Sequence, residues 1–405
     1  MASRSAVIPF DALIVESNSH PMPLRVAINA TPLLAPLTGI GNYIVNLGAA
    51  LATDETLQLY SLYGPRWRSE APRPPAASPL GPAVQSLKEA VKPFVPFRRE
   101  LRALQQKWVF ASGTRRYDVD VYHEPNYVPL RCEVPVVVTV HDLSWRHYPD
   151  THPADRVRWL EGGLPRALER AAAILVDSDF IRSELLTAFP VDSARVHTAH
   201  LGVSSSFRPR EAADTGLFLD ALGLMHGRYI LTVGTIEPRK NLSHVLAAYA
   251  RLPTRLRERY PLVVAGAKGW RATDMEAELR NLANRGQIRF LGHVVAEQLP
   301  LLLAGAAAFV FPSLYEGFGL PPLEAMASGV PVLVSDRASL PEVVGDAGVT
   351  LDPDTPEATA LEIEALLDDP PRRQALSQRG VDRARRFTWE ACARITANVY
   401  RAAAR

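Results

Sequence analysis

An α/β chain built from two doubly wound, parallel-sheet domains is what this sequence predicts, and three observations predict it. Short apolar, β-branched runs alternate with stretches of helical periodicity, which is the sign of parallel strands joined by crossover helices. The runs number eleven, too many for one sheet, and they fall into two series on either side of a polar passage from Ser204 to about Thr215. The chain has 405 residues, and at roughly 150 residues per domain that length calls for more than one domain.

In chain order, residues 1–23 precede the first strand and read as a loose extension. The first domain, 24–203, carries strand candidates Leu24–Ile28, Leu59–Tyr63, Val119–Tyr122, Val136–Val140, Ile174–Val176 and Val196–Ala199. Within it, the proline-rich run Arg66 to Pro82 reads as a loop. Residues 204–215 form the linker, with no strand pattern and weak helical periodicity. The second domain, 216–386, carries Tyr229–Val233, Leu262–Ala265, Ile288–Leu291, Ala308–Phe311 and Val332–Val334. Residues 387–405 put Trp389, Ile395, Val399 and Tyr400 near helical spacing, so a last helix packed back on the N-terminal domain is expected.

Composition narrows the function classes. Hydrophobic residues make up 47% and charged residues 22%, ordinary globular usage that excludes a disordered or fibrous chain. Cys132 and Cys392 are the two cysteines, far apart, so neither a disulfide framework nor a zinc cluster organises the fold. No apolar run approaches the roughly 20 residues that span a bilayer, and the first 20 residues carry acids inside their short apolar stretch. A cytoplasmic location is the expectation. Net charge is +2, yet Arg66 to Arg131 holds 12 Lys/Arg against 6 Asp/Glu, so one face of the N-terminal half is expected to be basic. Basic residues interleaved with aromatics are missing elsewhere, which argues against a nucleic-acid partner.

Three motifs carry chemistry. After the first strand comes Thr38-Gly39-Ile40-Gly41-Asn42-Tyr43, leading into helical periodicity. Glycines there let a phosphate or sugar approach the N–H groups of a helix N-terminus, although a simple turn that begins a helix fits as well. It is not a dinucleotide fingerprint, because the third glycine is missing and the second strand ends in Tyr63-Gly64-Pro65 with no acid for a ribose. The strand Tyr229–Val233 runs into Gly234-Thr235-Ile236-Glu237-Pro238-Arg239-Lys240-Asn241. Adjacent Arg239 and Lys240 at the carboxyl end of a parallel strand can clamp a diphosphate and stabilise it as a leaving group. The competing reading has Asn241 capping a helix while both bases lie in solvent. The third motif, Glu316-Gly317-Phe318-Gly319-Leu320-Pro321-Pro322-Leu323-Glu324, puts one carboxylate in a glycine-rich turn and another in the first turns of a helix. Carboxylates accept from vicinal sugar hydroxyls and the turn's N–H groups suit phosphate; helix capping accounts for Glu324 but not for the glycines beside Glu316.

With these residues in view, the chain from about Leu24 to Tyr400 resembles the retaining nucleotide-sugar glycosyltransferases of family 4. The carrier is the pair Glu316 and Glu324, separated by seven residues, with Arg239-Lys240 upstream. The resemblance implies the GT-B fold, two Rossmann-like domains whose parallel sheets face each other across a cleft. It implies that Glu324 binds ribose hydroxyls, that Glu316 binds the transferred sugar with the backbone of Gly317, Phe318, Gly319 and Leu320 near the β-phosphate, and that Arg239 and Lys240 contact the diphosphate. It places His141, in His141-Asp142-Leu143, beside the anomeric carbon, Gly39 to Gly41 over the diphosphate, and the backbone of His293-Val294 at the base. Without the family, a lone histidine ending a strand reads equally as hydrogen-bonded structure.

The expected reaction is transfer of a hexose with retention and without a metal or other cofactor. The leaving diphosphate is met by Arg239, Lys240 and a helix N-terminus. Asp118-Val119-Asp120 mimics a metal-binding Asp-X-Asp but precedes a strand, so it reads as a solvated strand start. The wording around Val233–Leu242 and His141–Trp145 is similar to bacterial polysaccharide transferases that use GDP-mannose or related GDP-deoxyhexoses, with a UDP-hexose as the competing donor. A glycan or lipid-linked acceptor in cell-surface polysaccharide synthesis follows from the same resemblance. In the basic stretch, Leu101, Leu104 and Trp108 stand at helical spacing, which fits either a core-facing stripe or peripheral contact with an anionic membrane. Two other classes stay open: a sugar-nucleotide epimerase, and a non-catalytic nucleotide-binding protein.

Overall fold

A computed structural model describes residues 22–35, 39–75, 98–269 and 273–405, with backbone alone for 98–104. All of the expected extension except Met22 and Pro23 lies outside the described residues. Among the described residues, thirteen strands form two sheets. The first holds β1 (Leu24–Asn29), β2 (Leu57–Tyr63), β3 (Arg66–Arg68), β4 (Val121–Glu124), β5 (Val136–Val140), β6 (Ala173–Val176) and β7 (Val196–Thr198), in the order β3-β2-β1-β4-β5-β6-β7. The second holds β8 (Ile230–Val233), β9 (Leu262–Ala265), β10 (Arg289–Gly292), β11 (Ala308–Phe311), β12 (Val332–Ser335) and β13 (Val349–Leu351), in the order β10-β9-β8-β11-β12-β13. All neighbours pair parallel except β2 with β3. Helices cover both faces, so central strands such as Val137–Val140 and Phe309–Phe311 are buried throughout, which is why they are apolar except for Thr139. The strand order reverses between β1 and β4 and again between β8 and β11. At such points the loops diverge and leave a crevice at the carboxyl edge.

Three local expectations change. The run Arg66 to Pro82, expected as a loop, opens with β3: Gly64, at φ 59°, turns the chain so that Tyr63 pairs with Arg66, and Trp67 stacks on Phe110 at 5.9 Å. A helix, Ala212–Ala221, begins inside the expected linker 204–215, fastened by reciprocal capping between Glu211 and Asp214. The fourth strand starts at Val121 rather than Val119, because Asp118 (φ 48°) and Asp120 are drawn onto Arg25 at 2.5 and 2.9 Å. Those two acids are therefore engaged in tying β1 to β4.

The chain crosses between the domains twice, at Val203 and Phe387, and the crossings are joined by Val203 N–H donating to the Phe387 carbonyl at 3.2 Å. Gly202 packs so closely there that a Cβ would lie 2.1 Å from Trp389 N. After the second crossing the helix Trp389–Ala403 packs on the helix Gly39–Leu51 of the N-terminal domain. Its Tyr400 hydroxyl meets His123 Nδ1 at 2.6 Å, His123 Nε2 meets Thr139 Oγ1 at 2.7 Å, and Thr139 meets the Tyr43 hydroxyl at 3.0 Å. Burial pushes the His123 imidazole down to about 3, so the ring stays neutral and passes the hydrogen-bond chain through one donor and one acceptor nitrogen. The C-terminal helix is thus a fixed part of the N-terminal domain, and the two crossings are bonded to each other.

Candidate functional site

At the end of β8, a short turn, Pro238–Lys240, stops at Asn241, which adopts the left-handed conformation (φ 53°) and donates from Nδ2 to the Pro353 carbonyl at 2.9 Å. Asn241 therefore makes no side-chain cap on the helix Leu242–Arg251, and the bases beside it are not in solvent: the side chains of Arg239 and Lys240 are 11% and 17% exposed. The loop after β11 is zipped to this turn, with Leu314 N–H donating to the Arg239 carbonyl at 2.9 Å. Ser339 Oγ stands 2.9 and 2.7 Å from the Glu316 and Phe318 carbonyls and holds the loop from the other side.

Lys240 Nζ reaches Glu316 Oε1 at 2.5 Å, and Arg239 Nη1 lies 3.6 Å from Oε2. Burial pushes the Glu316 carboxyl up, but the two cations outweigh it and hold it below the ordinary carboxylate range, so it is anionic. Arg239 itself is committed. Nη1 donates to the Tyr315 carbonyl at 2.5 Å and Nη2 to Glu237 at 2.6 Å. It braces Glu316 and adds positive field to the cleft, while Lys240 has Glu316 as its one carboxylate partner.

Gly319, at φ 112°, makes the turn into the helix Leu320–Ala327, a conformation that side chains rarely adopt. Glu324 follows one turn later, half-buried, with no hydrogen bond or ion pair on its carboxylate among the described residues. Desolvation without a partner pushes its carboxyl up to about 8. Its raised pKa means that the folded chain binds more protons than the unfolded chain between about 4.5 and 8, so this group costs stability as pH rises through that window. Glu324→Gln is expected to raise the melting temperature relative to wild type at pH 9 and to leave it unchanged near pH 4.5; equal differences at both pH values would show that the carboxyl titrates normally.

The opposite wall comes from the N-terminal domain. A Cβ on Gly317 would lie 1.9 Å from the His141 carbonyl oxygen and 3.1 Å from Asp142 Cβ, so glycine alone lets the two domains meet there. Ser178 Oγ donates to the Gly317 carbonyl at 2.7 Å, and the Tyr315 hydroxyl reaches Glu184 at 2.5 Å and receives Leu143 N–H at 2.9 Å. His141 has both ring nitrogens on acceptors, Nδ1 with Asp177 at 2.7 Å and Nε2 with the Pro125 carbonyl at 2.8 Å. Burial lowers its pKa, but Asp177 more than offsets this and raises it, which favours the imidazolium. The His141 ring is thus occupied, and its backbone carbonyl is what touches the turn.

Of the residues singled out by sequence, Arg239, Lys240, Glu316 and Gly317 come together with the main chain of His141. Gly319 and Leu320 link them to Glu324. Phe318 turns its ring into the core, 5.7 Å from Phe387. Gly39 and Gly41 begin the helix Gly39–Leu51, and a Cβ on Gly39 would meet nothing within 4 Å. His293 and Val294 follow β10, two strands from β8, with His293 exposed. Sequence reasoning missed Tyr315, Asp142, Asp177, Ser178 and Ser339. The run Asp177-Ser178-Asp179 directly after an apolar strand was a readable helix start at the carboxyl edge.

The domains lie shut over this group. The His141 carbonyl stands directly against Gly317, and the hollow beside Lys240, about 20 Å³, is lined by the C-terminal domain alone, through residues such as Gly234, Thr235 and Phe311. Larger hollows of 680, 590 and 700 Å³ are lined by residues away from the two glutamates, for example Arg228 and Arg289, Phe207 and Glu390, or Val128 and Arg166. The convergent charges of Arg239, Lys240 and Glu316 stand instead beside the turn where Gly317 meets the main chain of His141.

Residues 37–207 match the family described as Glycosyltransferase Family 4, and residues 222–383 match Glycosyl transferases group 1. The chain is 38% identical over 385 residues to the O-antigen chain mannosyltransferase B of Escherichia coli, an alignment covering 93% of this chain and 100% of the relative. It is 31% identical over 317 residues to the MMP alpha-(1->4)-mannosyltransferase of Mycolicibacterium hassiacum, covering 71% of each. Its fold is similar to that of the sucrose-phosphate synthase of Thermosynechococcus elongatus, with a TM-score of 0.71 over 93% of this chain and 98% of the other at 21% identity.

Proposed function

The chain belongs to glycosyltransferase family 4 and has its GT-B fold, and from that premise we propose that this glycosyltransferase moves mannose from GDP-mannose, with retention and without a metal, to a glycan or lipid-linked acceptor in cell-surface polysaccharide synthesis. The observation that carries the reading is the Lys240–Glu316 pair set under the Gly317–Gly319 turn, with Glu324 unpartnered one helical turn beyond. In the opened cleft Lys240 and the turn's N–H groups take the diphosphate, Glu324 the ribose hydroxyls and Glu316 a hydroxyl of the sugar. The bond from the anomeric carbon to the phosphate oxygen breaks as the bond to the acceptor oxygen forms. The acceptor's proton passes to the departing phosphate on the same face. Charge growing on that phosphate is met by Lys240, by the field of Arg239 and by the helix N-terminus after Gly319.

The likeness to an O-antigen mannosyltransferase supports the choice of mannose and of a polysaccharide acceptor. A peripheral site at the inner membrane face is part of the proposal. Among the described residues no helix is long and apolar enough to cross a membrane, and Trp108, on the basic helix Arg98–Arg116, is 72% exposed. The side chains of Leu101 and Leu104 lie outside the described residues.

The test is a panel of nucleotide sugars with the purified chain in the presence of EDTA, followed by the one-bond carbon–proton coupling at the product's anomeric centre. Consumption of GDP-mannose and an α-linked product are expected. Turnover of UDP-glucose with GDP-mannose inert would replace the donor, a β-linked product would refute retention, and loss of activity in EDTA would refute metal independence.

A further inference from the structure

The helix Asp179–Ala188 starts at the carboxyl edge of the N-terminal sheet, and its first N–H groups find acceptors in both domains. Ser178 caps it from within, receiving Ile181 N–H at 3.2 Å. The Asp179 and Phe180 N–H groups instead donate to the two carboxylate oxygens of Glu342, at 2.9 and 3.0 Å. Glu342 belongs to the C-terminal domain, in the short helix Leu340–Val344, and His200 Nε2 lies 2.6 Å from its Oε1. A helix N-terminus leaves its first N–H groups without intrahelical partners and favours negative charge, so this acid completes across the cleft a cap that Ser178 leaves incomplete.

We propose that Glu342 is a positioning residue that holds the closed cleft by capping the helix Asp179–Ala188 of the opposite domain, and so sets the donor turn against His141; the proposal rests on the transferase reading for its catalytic consequence, but not for the closure itself. The register of the capped segment is what couples the two. Asp177 holds the His141 ring, Ser178 Oγ donates to the Gly317 carbonyl, and Asp179 and Phe180 donate to Glu342. Four consecutive residues thus grip the N-terminal wall, the donor turn and the cap at once. When the domains part at Val203 and Phe387, the Gly317 carbonyl and the Glu342 carboxylate leave that segment together, and its N–H groups return to water. Closing restores all three contacts in one step.

The neighbouring charges are already engaged. Asp179 Oδ1 receives the Thr198 hydroxyl at 2.6 Å. Burial pushes the Glu342 carboxyl up, but His200 and the two N–H groups outweigh it and keep it anionic. Asp179, His200 and Glu342 bring one ligand atom each within 4.8 Å of one another, yet hydrogen bonds engage all three, so capping accounts for the cluster without a cation.

The experiment compares the full chain with Glu342→Ala and Glu342→Gln by hydrogen exchange, small-angle scattering and steady-state kinetics. In Glu342→Ala the Asp179 and Phe180 amides should lose protection by roughly tenfold, the size of one helix cap, and the radius of gyration should rise. Donor KM should rise while kcat at saturating donor falls by a smaller factor, because bound donor drives closure. Glu342→Gln, which keeps one acceptor oxygen, should fall between the two. Unchanged amide protection and radius in Glu342→Ala would overturn the proposal whatever the substrate is. A lowered melting temperature with the amide pattern and KM of wild type would also overturn it, by showing a merely structural residue. Altered exchange and radius with no transferase activity in the wild type would sink the donor reading and leave the latch standing.

Discussion

Lys240→Ala is expected to lower kcat by about 10² to 10³ with donor saturating, the loss that follows removal of one preorganised group facing developing charge. The Lys240 ammonium is the closest cation to Glu316, at 2.5 Å, with one carboxylate partner and the Phe311 ring at 5.3 Å, so turning to a phosphate exchanges a single ion pair. Arg239 does not substitute, since its guanidinium is bonded to the Tyr315 carbonyl and to Glu237. The fold should survive, because Arg239 still faces Glu316 at 3.6 Å. A lower melting temperature is expected nonetheless, as a buried carboxylate loses its nearer partner. Lys240→Arg should recover little, because a planar fork does not fit where a single ammonium stands. Wild-type turnover in Lys240→Ala would remove the residue from the site.

Gly317→Ala is expected to lower transfer by about two orders of magnitude, the cost of displacing reacting groups by roughly 1 Å. Its methyl group would lie 1.9 Å from the His141 carbonyl, an approach no real side chain makes, so the domains would have to stand apart. The clash lies between the domains and not within one, so both cores remain intact and melting should change little. The same variant should show a larger radius in solution and retain binding of the nucleotide alone, measured by titration with GDP. Normal turnover in Gly317→Ala would mean that productive closure does not bring Gly317 against His141.

Much of this was legible because α/β sheets announce themselves. Strands buried on both faces are predominantly apolar, so Val136–Val140, with Thr139 as its one polar residue, and Ala308–Phe311 were readable to the residue. Two strands escaped. Arg66–Arg68 hides its Trp67 between exposed arginines, and Val349–Leu351 is too short for an alternation to show. The site's own residues were readable where glycine, acid and base crowd one motif, as at Arg239-Lys240 and at Glu316 to Glu324. What the chain does not display is which partners those groups take. That Arg239 is spent on Tyr315 and Glu237, and that the His141 ring is closed between Asp177 and Pro125, follow from loops of one domain that are distant in sequence, while the cap that Glu342 sets on a helix of the other domain follows from two domains meeting; no local pattern encodes any of them.

The central claim is that one cleft gathers Lys240, Glu316 and Glu324 around a single sugar diphosphate. A crystal structure of the chain with a non-hydrolysable GDP-mannose analogue tests it most directly. The account predicts the diphosphate on Lys240 and the Gly317–Gly319 turn, the ribose hydroxyls on Glu324 and a sugar hydroxyl on Glu316. A nucleotide seated in one of the outlying hollows, with the Lys240–Glu316 pair untouched and Glu324 still without a partner, would contradict it.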